Sequence, residues 1–300
     1  MKILAMILNV LMCGAFGILL GAIYARVVAR SQGRIGIPVY QNFVDLAKNQ
    51  FKRTAIMHGI MFYLAPVFRL AGGVGLLLFV PLLPGSPFFE NASFSGDVLL
   101  AMYFIFFGQL GMAVGASESG HPYSAIGIAR GLSQMTAFEV PFALSVIAIA
   151  MQYHTFDISA ISQAQQGGLF HWTAFTQPLA TLAALFAFLG MTGQSPFDNV
   201  LAPQEIPIGP PTEFHSGYLV LMQLNRAIFQ VAKCVLFVHL FFGGATHLGV
   251  LLAKVFVLFG LPMFVDAAFP RLRVDQSIRF FLTVPTAIGL GALAVSYYLY

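Results

Sequence analysis

Apolar residues fall along this chain in long blocks rather than in short periodic stripes. Eight blocks, at 3–28, 57–83, 97–116, 131–152, 173–192, 218–243, 246–267 and 278–299, are each long enough for a membrane-crossing helix, because a bilayer core of about 30 Å needs about 20 helical residues. The first block follows Lys2 and has the look of a secretion signal. Its apolar stretch exceeds the roughly 7–15 residues of a signal core and no cleavage site follows, so it reads as a retained helix. Gly243-Gly244 marks a tight turn between blocks six and seven. Segment 37–50 is too short and polar to cross. Val39, Phe43, Leu46 and Ala47 share one helical face, while Gln41, Asp45, Lys48 and Asn49 lie elsewhere. That pattern suits a helix lying at the membrane surface, with Pro38 in its first turn. The expected fold is all-α: one polytopic membrane domain over 1–300, with about eight spans and one interfacial amphipathic helix.

Composition strengthens this reading. Of 300 residues, 58% are hydrophobic and only 9% charged, against roughly 25% charged in a soluble domain. A soluble enzyme, a nucleic-acid binder and a disordered tail are thereby excluded. The few bases are sorted by loop. Arg26, Arg30, Arg34, Lys48, Lys52, Arg53, Arg130, Arg271, Arg273 and Arg279 lie in or beside alternate connections, and 84–96, 153–172 and 244–245 hold no Lys or Arg. The excess of bases places the first set in the cytoplasm and both termini outside. The connection between blocks five and six is cytoplasmic by alternation, yet it carries Asp198, Glu205 and Glu213 and no base.

Charges inside the spans each need a reason, since one at the bilayer centre costs at least about 2.5–3.5 kcal/mol on insertion scales. Glu139 lies well inside block four, two residues before Pro141, which removes a backbone donor and tends to kink the helix. A carboxylate beside a kink can reach a cavity and carry a proton. Arg226 and Lys233 are seven apart and share a face of block six, with Asn225 about 100° round from Arg226. Arg69, Lys254 and Asp266 read as groups that snorkel or pair without moving protons. Cys13 and Cys234 read as apolar packing residues; two thiols cannot make a four-thiolate iron–sulfur site. The histidines have no metal-ligand spacing, and His58 and His215 are placed where a proton relay would run.

The cytoplasmic connections are unusually specific. The first reads Gly33-Arg-Ile-Gly-Ile-Pro-Val-Tyr-Gln-Asn-Phe-Val-Asp-Leu-Ala-Lys48, and the second Ser119-Gly-His-Pro-Tyr-Ser-Ala-Ile-Gly-Ile-Ala-Arg130. The third contains Ser195-Pro-Phe-Asp198, Gln204-Glu205 and Thr212-Glu-Phe-His-Ser-Gly217, and the last Phe269-Pro-Arg-Leu-Arg-Val-Asp-Gln276. In that order, on one side of eight spans, these motifs resemble the H-type membrane subunit of respiratory complex I. They also resemble its relatives in membrane-bound, energy-converting nickel–iron hydrogenases. The last resembles that family's Pro-Arg-Phe-Arg-Tyr-Asp-Gln, and Phe138-Glu-Val140 its Tyr-Glu-Val. The resemblance covers roughly residues 20–280. The hydrogenase branch is the nearer: the first connection is compact, Asn199-Val-Leu-Ala-Pro203 lacks two acids of the complex I form, and Arg226 stands about where that form has an acid.

The resemblance implies a membrane component with no catalytic residue and no cofactor of its own. Iron–sulfur clusters and a nickel–iron centre are expected in hydrogenase-like large and small subunits and an iron–sulfur subunit on the cytoplasmic side. Antiporter-like subunits and lipid are expected in the membrane, and the location is the cytoplasmic (inner) membrane of a prokaryote. It assigns docking of the arm to Arg34, Gln41, Asp45, Lys48, Arg271, Arg273 and Asp275. It assigns ion coupling to Glu139, Asp198, Glu205 and Glu213, with Arg130 and Lys233 beside the path. Whether the ion is a proton or sodium is open. A quinone-site subunit of a complex I-type dehydrogenase and a stand-alone secondary transporter are the alternatives; the transporter predicts repeated halves, and none is visible.

Overall fold

The computed structural model of the chain describes residues 2–52, 58–201, 205–206, 209–214 and 216–299. The expectations on Arg53, Gln204 and His215, and the start of the second block, lie outside the described residues. The first block is helix α1 (Lys2–Ser31) and the surface segment α2 (Gln41–Gln50). Blocks two to four are α3 (Ile60–Phe79), α4 (Asp97–Glu118) and α5 (Pro122–Tyr153). Short helices α6 (Ile158–Ala164) and α7 (Thr173–Thr176) precede α8 (Pro178–Thr192), and α9 (Ser216–Phe241), α10 (Leu248–Ala268) and α11 (Val274–Leu299) complete the bundle. Among the described residues the fold is all-helical, and seven helices are long and apolar enough to cross a membrane.

The fifth block differs from expectation. Block 173–192 is broken at Gln177, whose φ of −131° and ψ of 70° leave the helical region. Pro178, lacking an N–H, starts the next helix but could not continue the previous one. The unbroken piece, α8, has 15 residues, or about 22 Å at 1.5 Å per residue, short of a bilayer core. Gln177 fills the break by donating to the Ala148 carbonyl at 3.3 Å and the Ser296 hydroxyl at 3.0 Å. Other boundaries move too. α5 starts at Pro122 rather than 131, because its first turns lie against protein: a Cβ on Gly127 would meet Pro210 at 2.7 Å, and one on Gly131 would meet Val200 at 3.0 Å. α11 starts at Val274, so Asp275 sits in its first turn, where an acid complements the helix dipole. Pro38 stands ahead of α2 rather than in it, and its carbonyl accepts from the Gln41 N–H at 3.0 Å.

Helix α9 is the axis of the bundle. It contacts α1, α2, α3, α6, α7 and α10, and every residue from Val231 to Phe241 is buried. α3 packs along α4, and α5 along α8 and α11. The base-free connections meet at one end, where Asp97 accepts from the Ile158 N–H at 2.7 Å and Asn9 donates to Asn91 at 2.9 Å. There Gln165 knits α6 to α9: its amide nitrogen donates to the His239 and Leu240 carbonyls at 2.9 and 3.1 Å, and its oxygen accepts from the Gly243 N–H at 3.0 Å. Gly243 and Gly244 make the expected turn with φ of 70° and 55°. The basic connections meet at the opposite end.

Close helix contact depends on particular glycines. A Cβ on Gly72 of α3 would lie 2.5 Å from the Gly108 Cα of α4, a backbone atom that cannot swing away. Gly72→Val is therefore expected to force α3 and α4 apart, at a cost of about 1–3 kcal/mol typical of overpacking. A lowered thermal midpoint of the detergent-solubilised protein measures this. Gly260→Ala, whose Cβ meets nothing within 4 Å, is the matched control and should leave the midpoint unlowered.

Candidate functional site

Gln223, Arg226, Gln230 and Lys233 follow one another on α9 at spacings of three and four, which aligns them on one helical face. That face lines a cavity of about 490 Å³. α3 contributes Arg69 to its wall, α4 Gln109 and Met112, α5 Gln134 and Phe138, α8 Met191 and Thr192, and the loop between α8 and α9 Phe197, Asp198 and Val200. Lys233 is buried, donates to the Met191 carbonyl and lies 4.6 Å from the Phe229 ring centroid. Among the described residues the Arg69 guanidinium has only the Met112 sulfur as hydrogen-bond partner, a weak acceptor. A second cavity of about 350 Å³, lined by Tyr24 of α1, Asn42 and Asp45 of α2 and Phe259 of α10, shares Gln223, Arg226 and Gln230 with the first. Arg226 thus stands in the partition between two cavities.

The roof of the larger cavity is the loop after α8. The Gln134 amide donates to the Phe197 carbonyl at 2.8 Å, the Leu272 N–H to the Pro196 carbonyl at 3.0 Å, and the Arg271 guanidinium to the Asp198 carbonyl. The Phe197 ring packs against Phe280 and Phe281 of α11, with centroids at 5.7 and 4.6 Å. These contacts hold the loop in place, with Asp198 among the residues of the cavity wall. Burial pushes its carboxyl up to about 6, against the downward pull of Arg271 and then Arg226. Further along, Glu213 pairs with His58 at 2.5 Å, and Phe214 stacks on Phe62 with centroids 4.1 Å apart. Glu205 is exposed and pairs with Arg130 at 2.5 Å; that hydrogen bond and charge hold its carboxyl below the usual range.

The structure divides the residues singled out by sequence. Of the acidic loop trio only Asp198 lines the cavity; Glu205 and Glu213 each have a different partner outside it. Lys233 lines the cavity and Arg130 does not. Glu139 does not line it either: neighbouring Phe138 faces the cavity, whereas Glu139 lies on another face of α5 and has no hydrogen-bond or ion-pair partner among the described residues. At the basic end Arg34, Lys48, Arg273 and Asp275 are exposed, the last two 3.6 Å apart. Gln41 instead donates to Asp45 at 2.7 Å, Asp45 lines the second cavity, and Arg271 is turned inward onto the loop.

Three of the span charges expected to snorkel or pair have distinct fates. Lys254 donates to the Phe242 and Gly244 carbonyls at 2.7 and 2.6 Å, and Asp266 accepts from the Tyr24 hydroxyl. Arg69 does neither and faces the cavity. The four glutamines of the cavity escape a reading of the sequence, though the spacing of Gln223, Arg226, Gln230 and Lys233 is a readable signal for two of them. Among the described residues no three His, Cys, Asp or Glu side chains gather as a metal site needs, and a lining of cations and amides repels a metal ion.

Residues 1–297 match the family model described as NADH dehydrogenase. The chain is 30% identical to the H subunit of NADH-quinone oxidoreductase from Wolinella succinogenes, over 72% of this chain and 69% of that protein. It is also 30% identical to an H subunit of NADH-quinone oxidoreductase from Cereibacter sphaeroides, over 84% and 76%. Among solved structures it is similar to a chain of the membrane-bound sulfane sulfur reductase, an archaeal respiratory membrane complex, with a TM-score of 0.92 and 32% identity over 98% of this chain and 99% of that one. The chain accordingly belongs to the NADH dehydrogenase family, as a polytopic membrane relative of the H subunits of NADH-quinone oxidoreductases.

Proposed function

We propose that this chain is the anchoring and ion-coupling membrane subunit of a multisubunit redox complex in a prokaryotic cytoplasmic membrane. On this reading its basic end faces the cytoplasm and docks a hydrogenase-like arm through Arg34, Lys48, Arg273 and Asp275. That arm's own subunits hold the iron–sulfur clusters and a nickel–iron centre, and antiporter-like subunits lie beside the chain in the membrane. Electron transfer in the arm is converted to proton or sodium movement. The observation that carries the reading is the position of Asp198. Asp198 lines a charged cavity inside the bundle, and its backbone carbonyl is gripped by Arg271, two residues from exposed Arg273. A push on the surface loop by the arm is thereby delivered to an ionisable group at the cavity wall. Moving Asp198 relative to Arg226 and Arg271 changes its proton affinity, and Lys233 deeper in the same cavity is the next charge along.

A second reading has its own support. A cavity of about 490 Å³ falls within the roughly 300–1,000 Å³ of ligand pockets, and the Wolinella and Cereibacter relatives are named for quinone reduction. Purification of the assembly through a tag on this chain separates the two. Co-purifying iron–sulfur subunits with stoichiometric nickel support the hydrogenase-like arm. Iron without nickel, together with inhibition by short-chain quinone analogues, supports the quinone reading. A chain that purifies alone contradicts both.

The Asp198 titration gives a separate check. With its folded value near 6 and its ordinary value 3.8, the native protein binds this proton between those values and the unfolded chain does not. Stability contributed by this group therefore falls as pH rises through that window. Asp198→Asn is expected to flatten the pH dependence of the thermal midpoint between about pH 4 and 6. It should also remove an infrared carboxyl band that titrates near the value set by burial, about 6. An unchanged band contradicts the placement of Asp198 at the cavity wall.

A further inference from the structure

The larger cavity carries an imbalance that ion coupling alone does not use. Three cations face it, Arg69, Arg226 and Lys233, and one carboxylate, Asp198; with all four ionised the excess is two positive charges (three minus one). Arg226 repels both Arg69 and Lys233. None of the three forms an ion pair among the described residues. Two buried donors are also without acceptors, the Arg69 Nε and the Gln230 amide nitrogen, and both residues line this cavity. Lys233 is buried and Arg69 half-buried, while Arg226 is exposed. Removing charges such as the first two from water without a counter-charge costs several kcal/mol per ion, and a buried donor left unmade adds to that. A guanidinium fork, a lysine and amide donors together are the groups that hold a tetrahedral oxyanion.

We propose that the cavity binds one phosphate-type oxyanion, gripped by Arg69, Arg226, Lys233 and Gln230. The inference deepens the proposed function by naming an occupant of the coupling cavity, and it rests on that reading only for its mechanistic meaning. The bound anion would neutralise the excess charge and set the field in which Asp198 gains or loses its proton. Two sources share this chemistry. One is free inorganic phosphate. The other is the headgroup phosphate of a lipid, whose chain would lie in the adjoining cavity that Arg226 also lines, between α1, α2 and α10.

The test uses the intact purified complex in phosphate-free buffer. Equilibrium dialysis with radiolabelled inorganic phosphate measures the free anion, and mass spectrometry of lipid retained after detergent exchange measures headgroup phosphate. We expect one equivalent per complex in one of the two arms. Arg69→Met and Arg226→Met should weaken it at least about tenfold, the scale of a lost charge-assisted bond. Arg69→Lys, which keeps the charge and loses the fork, should bind with intermediate affinity. Arg279→Gln, at a base of α11 away from the cavity, should bind as the wild type does. Should Arg69→Met fail to assemble, Lys233→Met reads the same site. Wild-type complex with neither free nor lipid phosphate overturns the proposal, as does binding that survives the arginine and lysine substitutions. Dialysis needs no turnover, so a complex that couples ions but holds no oxyanion contradicts this inference alone and leaves the proposed function standing.

Discussion

Helix α9 carries Arg226 and Lys233 and is enclosed by protein over its C-terminal half, where every residue from Val231 to Phe241, Lys233 included, is buried, while Arg226 is exposed and lines the cavity. A membrane-spanning helix that held these bases against lipid would meet the insertion cost of a charge at the bilayer centre. The bundle resolves this by surrounding α9 with neighbouring helices and leaving a space on its polar face. Glycines make the enclosure tight: a Cβ on Gly17 of α1 would lie 2.2 Å from the Ala227 carbonyl, and one on Gly73 of α3 would lie 2.2 Å from the Asn225 amide oxygen. Close packing on the apolar sides and a cavity on the Gln223–Lys233 side are two results of one constraint.

The same constraint explains why the loop after α8 is so well held. A cavity of cations open to lipid would be costly, and it is roofed by Phe197, Asp198 and Val200, in a loop tied to α5 by Gln134 and to the segment before α11 by Arg271 and Leu272. The roof also belongs to a connection whose motifs resemble those of the H-type subunit of respiratory complex I. Its chemistry is therefore shared between two tasks. It closes the interior, and it joins the interior to the exposed residues at the basic end.

Much of this was legible in the sequence because lipid imposes length. Long apolar blocks mark the helices, and the alternation of basic and base-free connections matches the two ends at which the loops gather. What escaped has physical reasons. The break at Gln177 depends on a buried glutamine bonding to α5 and α11, which periodicity cannot display. The early start of α5 depends on Gly127 and Gly131 meeting a distant loop. Glu139, notable for its depth and its proline, lies on a different face of α5 from the cavity, while Arg69 faces it. Depth in a span was readable and direction was not, because direction is set by the neighbours of each helix. Where one helix supplies several polar positions, as α9 does, their spacing already marks the face.

On the proposed function, Asp198 links the surface loop to charge movement inside the bundle. Ion uptake by inside-out vesicles containing the complex, measured against electrons delivered to its soluble arm, tests it most directly. Asp198→Asn is expected to abolish uptake while electron transfer to a soluble dye continues at the wild-type rate. Undiminished uptake per electron in that variant would contradict it.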